Sequence, residues 1–316
     1  MTIQWGILST AHINRRIIPA IHQSVRGNLL AVASRDYEKS LDYATQWHIP
    51  KSYGSYEELL ANDEINVVYI SLPNHLHTEW IIRSLEAGKH VLCEKPMCLS
   101  LEDFDAIENA VAKTGLTVME GYMHLHHPQT HMWKTIIDRG DLGEIHSMRS
   151  CFSFKLERGS DNYRWHADAG GGALWDVGVY PISLFQYLYN SSQVQASAQM
   201  YIENGIDLST SAILDFGHGR SGQFFASFRS SFSTDTVIHG SEAQLHISHP
   251  FTNVDACKAY IHRNDEIEIL EVPRQYLYSG EVENMHDIIL ENKIPVVSLQ
   301  QSKEVLKTIL KIRSCR

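Results

Sequence analysis

Apolar residues in the first third of the chain gather in short runs rich in Val, Ile and Leu: "IQWGIL", "NLLAVAS", "NVVYISL" and "HVLCEK". Between these runs the apolar positions return every three or four residues, as they do along one face of a helix. Continuous apolar runs suit strands buried on both faces, so the pattern predicts parallel βαβ units. Local punctuation agrees. Ser55 with Glu58 and Ser100 with Asp103 stand at capping-box spacing, and Gly88 and Gly115 fall where helices should stop. Pro19 lies inside the helical pattern Ile13, Ile17, Ile18, Ile21 and predicts a kink there.

Beyond about residue 120 the period changes. One helical stretch, from about Pro128 to Arg139, leads to a turn at "RGDLGEI" and then to alternating segments. "GEIHSMRSCFSF", "VQASAQMYIE", "STSAILDFG" and "SGQFFASFRSSF" predict strands joined by short turns, and so a largely antiparallel sheet. "SLQQSKEVLKTILKIR" returns to a helical period, with Val305, Leu306, Ile309 and Leu310 on one face. The expected architecture is α/β in two domains, residues 1–120 and 121–316, and 316 residues suffice for two cores.

Composition narrows the partners. A net charge of -10 argues against a nucleic-acid backbone as ligand and leaves small molecules as the better expectation. No run of eighteen apolar residues marks a membrane span, and "MTIQWGILS" lacks a basic region ahead of an apolar one, which points to the cytoplasm. The five cysteines are scattered without a Cys-x-x-Cys pair, as suits buried or incidental thiols in a reducing compartment.

In an open parallel sheet, ligands bind beyond the carboxyl ends of the strands. Four predicted strand ends here carry polar or small residues. The first gives Ser9, Thr10, Ala11, His12 and Ile13; the second Ser34, Arg35 and Asp36; the next clear strand Leu72, Pro73, Asn74 and His77; the last Glu94, Lys95 and Pro96. The usual Gly-x-Gly-x-x-Gly of a dinucleotide turn aligns with Ser9–Asn14, and each glycine is replaced. Alone this motif fails; its position and the other strand ends restore it as a cofactor site. After the second strand, Ser34 and Arg35 offer a hydroxyl and a guanidinium suited to a 2'-phosphate, which favours NADP. In the alternative, Arg35 is solvated, Asp36 reads the ribose and the cofactor is NAD.

"WGILSTAHI", "SLPNHLHTEWIIRSLEAGKHVLCEKPM" and "GGGALWDVGVYPI" together resemble the Gfo/Idh/MocA oxidoreductases over nearly the whole chain, and Glu94-Lys95-Pro96 is the most specific mark. "HLHHPQ" and the glycine-rich segment are most similar to the sugar-nucleotide 3-ketoreductases and the dihydrodiol and xylose dehydrogenases. The resemblance implies an N-terminal Rossmann domain that binds dinucleotide. It also implies a C-terminal α/β domain whose open, mainly antiparallel sheet faces the cofactor and often joins subunits into a homodimer or homotetramer. Many members carry a His four residues after the Asp of this segment; here Asp176 is followed by Tyr180. By the resemblance Lys95 and Tyr180 are the catalytic pair, with Asp176 beside them.

Such a set suits hydride transfer between a nicotinamide and a carbinol or carbonyl carbon, in which the protein orients substrate and manages one proton. A phenol titrates near pH ~10 unperturbed, and a neighbouring ammonium stabilises its phenolate. Gly170, Gly171 and Gly172 would admit a ligand close to the backbone, or form a plain turn before a helix. His124, His126, His127 and His131 suggest a metal, yet no Cys or carboxylate set with ligand spacing accompanies them, so no metal is expected. Arg164 and Trp165 border the pocket or serve structure. The expected activity is an NADP-dependent oxidoreductase acting on a sugar, sugar nucleotide or related polyol or ketone; the competing reading is a non-catalytic sensor of dinucleotide or sugar.

Overall fold

The computed structural model describes residues 2–159, 162–192, 194–252 and 254–315. By contact it divides into two units, 1–123 with 278–302, and 124–277 with 303–316. In the first, six strands, β1 (Ile3–Leu8), β2 (Gly27–Ala33), β3 (Lys51–Tyr53), β4 (Val67–Ile70), β5 (His90–Glu94) and β6 (Val118–Gly121), lie in the order β3-β2-β1-β4-β5-β6. Every neighbouring pair is parallel. Helices α1 (Asn14–Gln23), α2 (Tyr37–Trp47), α3 (Tyr56–Leu60), α4 (His77–Glu86) and α5 (Leu101–Thr114) fill the connections. Strand order reverses between β1 and β4, which puts the crevice of a doubly wound sheet at their carboxyl ends.

Local chemistry explains the helix limits. Ser55 Oγ accepts the Glu58 N–H at 3.2 Å, and Ser100 Oγ accepts the Asp103 N–H at 3.1 Å while donating to its carboxylate at 2.7 Å. Gly115 closes α5 in the left-handed conformation. Helix α1 runs through Pro19 without ending there.

The second unit contains α6 (Pro128–Asp138), α7 (Val179–Tyr189) and eight strands: β7 (Ile145–Ser153), β8 (Gln195–Glu203), β9 (Ile206–Asp215), β10 (Ser221–Ser227), β11 (Ser233–Gly240), β12 (Gln244–Ile247), β13 (Ala259–Arg263) and β14 (Glu266–Leu270). Their order is β14-β13-β12-β11-β7-β10-β9-β8, and only β7 and β10 pair in parallel. Alternation sorts the two faces. Met148, Ser150 and Phe152 of β7 are buried on the side of the nearly all-buried α7, while Arg149 and Cys151 face the other way.

The glycine triplet is drawn against its own chain. A Cβ at Gly171 would lie 2.5 Å from the Arg164 carbonyl oxygen, and Gly172, at φ 115°, would drive one into the Asp207 carboxylate. That carboxylate accepts the Leu174 N–H at 2.7 Å and the Thr210 hydroxyl at 2.8 Å, so the turn is anchored where it cannot tolerate a side chain.

The returning segment was not expected in the first unit, because the sequence reading ran the second domain from residue 121 to 316. Helix α8 (Ser279–Glu291) docks against α1, and α9 (Leu299–Ser314) closes the chain. The Trp5 indole N–H donates to His286 Nε2 at 2.9 Å, and Arg26 reaches Glu283, Asp287 and Glu291 at 2.5, 2.7 and 3.0 Å. Contacts across some 260 to 281 residues leave no trace in local periodicity. Among the described residues no helix is long and apolar enough to cross a membrane.

Two substitutions test this packing by denaturant midpoint. Trp5→Phe keeps the bulk of the ring but leaves buried His286 without its donor, and should lower stability by about 1–3 kcal/mol. Gly172→Ala adds both a strained φ and an overlap with Asp207, and should cost about 2–4 kcal/mol. Unchanged midpoints would show that these contacts contribute little.

Candidate active site

The turn after β1 adopts a glycine-like geometry without glycine. Ser9 stands at φ 115°, and its N–H still pairs with Ala33 at 3.0 Å. Its hydroxyl lies 2.9 Å from that of Ser71 and accepts the Ala11 N–H at 3.2 Å. The Asn14 amide donates to the Ser9 carbonyl at 2.9 Å, and Ser71 donates to Asn14 at 2.5 Å. Asn14 and Ser71 thus hold a conformation that costs roughly 1–3 kcal/mol for a residue with a side chain. Thr10, Ala11 and Ile13 are half-buried and His12 is exposed. Helix α1 starts without an acidic residue in its first turn and carries Arg15 and Arg16 there, so its positive end is uncompensated.

After β2, Ser34 is buried with its hydroxyl accepting the Asp36 N–H at 3.3 Å, while Arg35 is exposed and lies near Tyr56. Asp36 has a structural task. It caps α2 by accepting the Lys39 N–H at 3.3 Å, with the Lys39 ammonium 3.7 Å from its other oxygen. Arg35 is thus the exposed cation of this turn, its guanidinium against the Tyr56 hydroxyl and beside a carboxylate engaged elsewhere.

The ends of β4 and β5 converge on Lys95, whose side chain is mostly enclosed. Glu94 accepts the Tyr69 hydroxyl at 2.5 Å and the Lys95 N–H at 3.3 Å. His77 is fully buried at the start of α4, with one ring nitrogen 2.8 Å from the Pro96 carbonyl oxygen and the other 2.7 Å from that of Leu72. Burial disfavours its charged form. Glu120, on β6, accepts the Met97 N–H at 2.8 Å. Asn74 is buried and Pro73 half-buried in the loop between β4 and α4. Three side chains from three elements, Glu94 of β5, His77 of α4 and Glu120 of β6, thus grip the backbone of Lys95–Met97.

In the second unit, Asp176 sits within a π-helical turn, Leu174–Gly178, that runs directly into α7. Single π turns recur at functional sites because they change which side chains share a face. Arg164 grips Asp176 in bidentate fashion, Nε–H to Oδ2 at 2.7 Å and Nη2–H to Oδ1 at 3.1 Å. Asp176 first of all, with Tyr163 and Tyr180 adding, holds the Arg164 guanidinium firmly in its charged state. The Tyr180 ring is boxed by His124 at 5.1 Å, Phe152 at 5.1 Å and Phe251 at 5.5 Å between centroids.

Three of the four histidines that suggested a metal have local partners, while both ring nitrogens of His126 are buried without one. His124 Nε2 lies 3.2 Å from the Ser183 hydroxyl, His127 caps α6 by accepting the Gln129 N–H, and His131 Nε2 lies 2.9 Å from the Leu125 carbonyl oxygen. Burial pushes the fourth, His126, down to about 3. Among the described residues no group of three or more metal-ligating side chains is present.

Sequence reading missed Asn14, Ser71 and Glu120, and left Arg164 undecided. Only the odd Ser9 pointed toward the first two: a missing glycine demands a substitute set of hydrogen bonds. Glu120 carried no signal, since a lone acid in an apolar run reads as a strand end.

Comparison with known proteins adds family to geometry. Residues 3–122 match the model of an oxidoreductase family with an NAD-binding Rossmann fold, and residues 131–246 match that of the GFO/IDH/MocA C-terminal domain. A D-xylose 1-dehydrogenase (NADP(+)) of Haloferax volcanii is 33% identical over 313 residues, covering 97% of this chain and 95% of the relative. A dTDP-3,4-didehydro-2,6-dideoxy-alpha-D-glucose 3-reductase of Actinomadura kijaniata is 30% identical over 298 residues, covering 93% and 89%. The crystal structure of a 3-ketoreductase from Actinomadura kijaniata, in complex with NADP and TDP-benzene, superposes with a TM-score of 0.93 at 28% identity, covering 99% of this chain and 98% of that one. With both parts matched and relatives this similar over nearly its full length, the chain belongs to the Gfo/Idh/MocA family of oxidoreductases.

Proposed function

We propose that the protein is an NADP-dependent oxidoreductase that transfers hydride between the nicotinamide and a sugar, sugar nucleotide or related polyol or ketone. The observation that carries this reading is Lys95 at the tip of a buried strand, its loop gripped by Glu94, His77 and Glu120. Relatives that act on a sugar and on a keto sugar-nucleotide, and a neighbour with NADP in its complex, supply the substrate class and the cofactor. The sensor reading has no observation in its favour.

The strand-end residues fit a dinucleotide. The left-handed Ser9 lets the chain turn tightly, and the uncapped start of α1 offers N–H groups and positive potential to a pyrophosphate. Thr10, Ala11, His12 and Ile13 would line that turn; Ser34 and Arg35 would meet the 2'-phosphate, since a planar guanidinium binds phosphate bidentately. Leu72, Pro73, Asn74, His77 and Glu94 would border the nicotinamide half, His77 through the loops it ties together. When bound, the cofactor supplies or accepts the hydride.

The remaining work is the protein's own. Lys95 would polarise the substrate oxygen, Tyr180 would give or take its proton, and Asp176, held by Arg164, would fix a substrate hydroxyl. The rings of His124, Phe152 and Phe251 pack against that of Tyr180 and would steady it for proton transfer. The five free thiols among the described residues suit a cytoplasmic setting. The face of the eight-stranded sheet that bears Arg149, Cys151, Ile213 and Phe225 forms a shallow concavity with Ile213 exposed, and would join copies into a homodimer or homotetramer.

Titration with NADPH and NADH should show at least tenfold preference for NADPH in the wild type, and Arg35→Ala should remove most of it. Equal affinities would return the choice to NAD. Lys95→Ala and Tyr180→Phe should each lower kcat on a reactive sugar or keto sugar by about 10²-fold or more, with NADPH affinity within about twofold for Tyr180→Phe. Wild-type turnover in both would sink the mechanism. Native mass measurement should give two or four copies; a monomer alone would refute the assembly.

A further inference from the structure

Helix α8 returns from the far end of the chain to pack on α1, and one of its side chains, His286, makes the joint. It is fully buried against three elements. The Trp5 indole of β1 donates its N–H to Nε2 at 2.9 Å, and the two rings meet edge to face with centroids 5.7 Å apart. Nδ1 lies 3.3 Å from the hydroxyl of Ser24, the residue that ends α1. Gly27, at the start of β2, leaves room for the ring: a Cβ there would stand 2.8 Å from the imidazole. An indole N–H can only donate, so Nε2 must be a bare acceptor and the ring proton must sit on Nδ1, directed at Ser24. An imidazolium does not fit this place, because a second N–H would face that of Trp5.

The nearby charges do not reverse that. Glu283 Oε2 is 3.6 Å from Nδ1, but Arg26 holds it, and the same guanidinium takes Asp287 and Glu291, which Lys293 bridges at 3.3 and 3.0 Å. Glu281, the buried acid of the same helix, lies instead toward Gly121 of β6, where a Cβ would be 3.7 Å from its Oε2. Strands β1 and β2 contain no titratable side chain, and Arg15, Arg16 and His22 of α1 are exposed. Burial outweighs the pull of Glu283 and Asp287 and keeps the imidazole below its ordinary range.

We propose that His286 is a positioning residue of the dinucleotide-binding unit: in its neutral form it latches α8 to β1 and to the end of α1, the two elements that flank the Ser9 turn, and acid opens the latch. This deepens the NADP reading and rests on it for the consequence at the cofactor. His286 touches neither cofactor nor substrate in this role; it acts through the strand and the helix that carry the turn. The ring nitrogens supply a test on the wild-type chain. With isotopically labelled histidine nitrogens at about pH 8, the resonances lost in His286→Gln should be those of the Nδ1–H tautomer. The Nε2–H tautomer, or an imidazolium, would overturn the proposal.

Opening returns the imidazole to its ordinary value of ~6.5 and so takes up one proton. The latch is therefore at full strength above about pH 6.5 and weakens as pH falls toward the lower value of the buried ring. Over that window the opening constant of α8, read by hydrogen exchange, should rise about tenfold per pH unit relative to His286→Gln, whose amide can accept the Trp5 N–H but takes no proton. The same slope in both proteins would overturn the latch. Coupling to the cofactor is read separately. NADP+ at about 100 times its Kd should suppress the opening of α8 at least tenfold, because it binds the latched form. His286→Ala should weaken NADP+ binding about five- to tenfold at about pH 8, and His286→Gln should recover most of that loss. No suppression by NADP+, or wild-type affinity in His286→Ala, would overturn the positioning role. If NADP+ bound at no pH, the cofactor reading would fail, and the tautomer and the exchange slope would still decide for or against the latch.

Discussion

A lysine placed just past the end of a parallel strand has left the ladder of sheet hydrogen bonds that fixes everything before it. Any chemistry it performs needs the loop held by other means, because an ångström of misplacement can cost about two orders of magnitude in rate. Here side chains take over the role of the sheet. Glu94 takes the Lys95 N–H, a ring nitrogen of His77 meets the Pro96 carbonyl, and Glu120 takes the Met97 N–H. Three consecutive residues are tied by backbone atoms, so the base of the lysine is held in place.

Ser9 meets the same constraint at the end of β1, two strands away. A dinucleotide turn needs backbone in a region that glycine enters without penalty, and this chain enters it with a serine at φ 115°. The strain is offset locally, since the serine hydroxyl and carbonyl are both used, and Asn14 and Ser71 join β1, α1 and the loop after β4 into one buried polar cluster. A glycine would have been unstrained but would have offered no hydroxyl to that cluster. Substitution of the fingerprint therefore changes how the turn is held while keeping its shape.

How much of this was legible depends on distance along the chain. Strands β1, β2, β4 and β5, the capped starts of α3 and α5, and the change to antiparallel pairing after residue 120 all follow from local period and capping chemistry, and the structure contains them. Strand β3 was hidden by its length of three residues, and β6 by the acid and glycine that make up half of its four. Helix α8 was hidden for a different reason: its partners Trp5 and Arg26 precede it by more than 250 residues. The candidate residues divide the same way. Lys95, Asp176 and Tyr180 stood out by motif, and the strand ends by position. Glu120 and the grip of Arg164 on Asp176 exist only once the chain has folded.

Charge shows why such groups matter more than their number suggests. The chain carries a net charge of -10, yet the first turn of α1 has two arginines and no acid, and the turn after β2 leaves Arg35 exposed. Two of the acids near this edge lie beneath it: Glu120 and Glu281 are buried, and burial raises both, Glu281 well above the ordinary carboxyl range. An acid kept protonated contributes no field. The strand ends can therefore present positive potential to an anion although the molecule as a whole is acidic, because what an approaching phosphate meets is set by the few charges within a Debye length of ~8–10 Å and not by the sum over the chain.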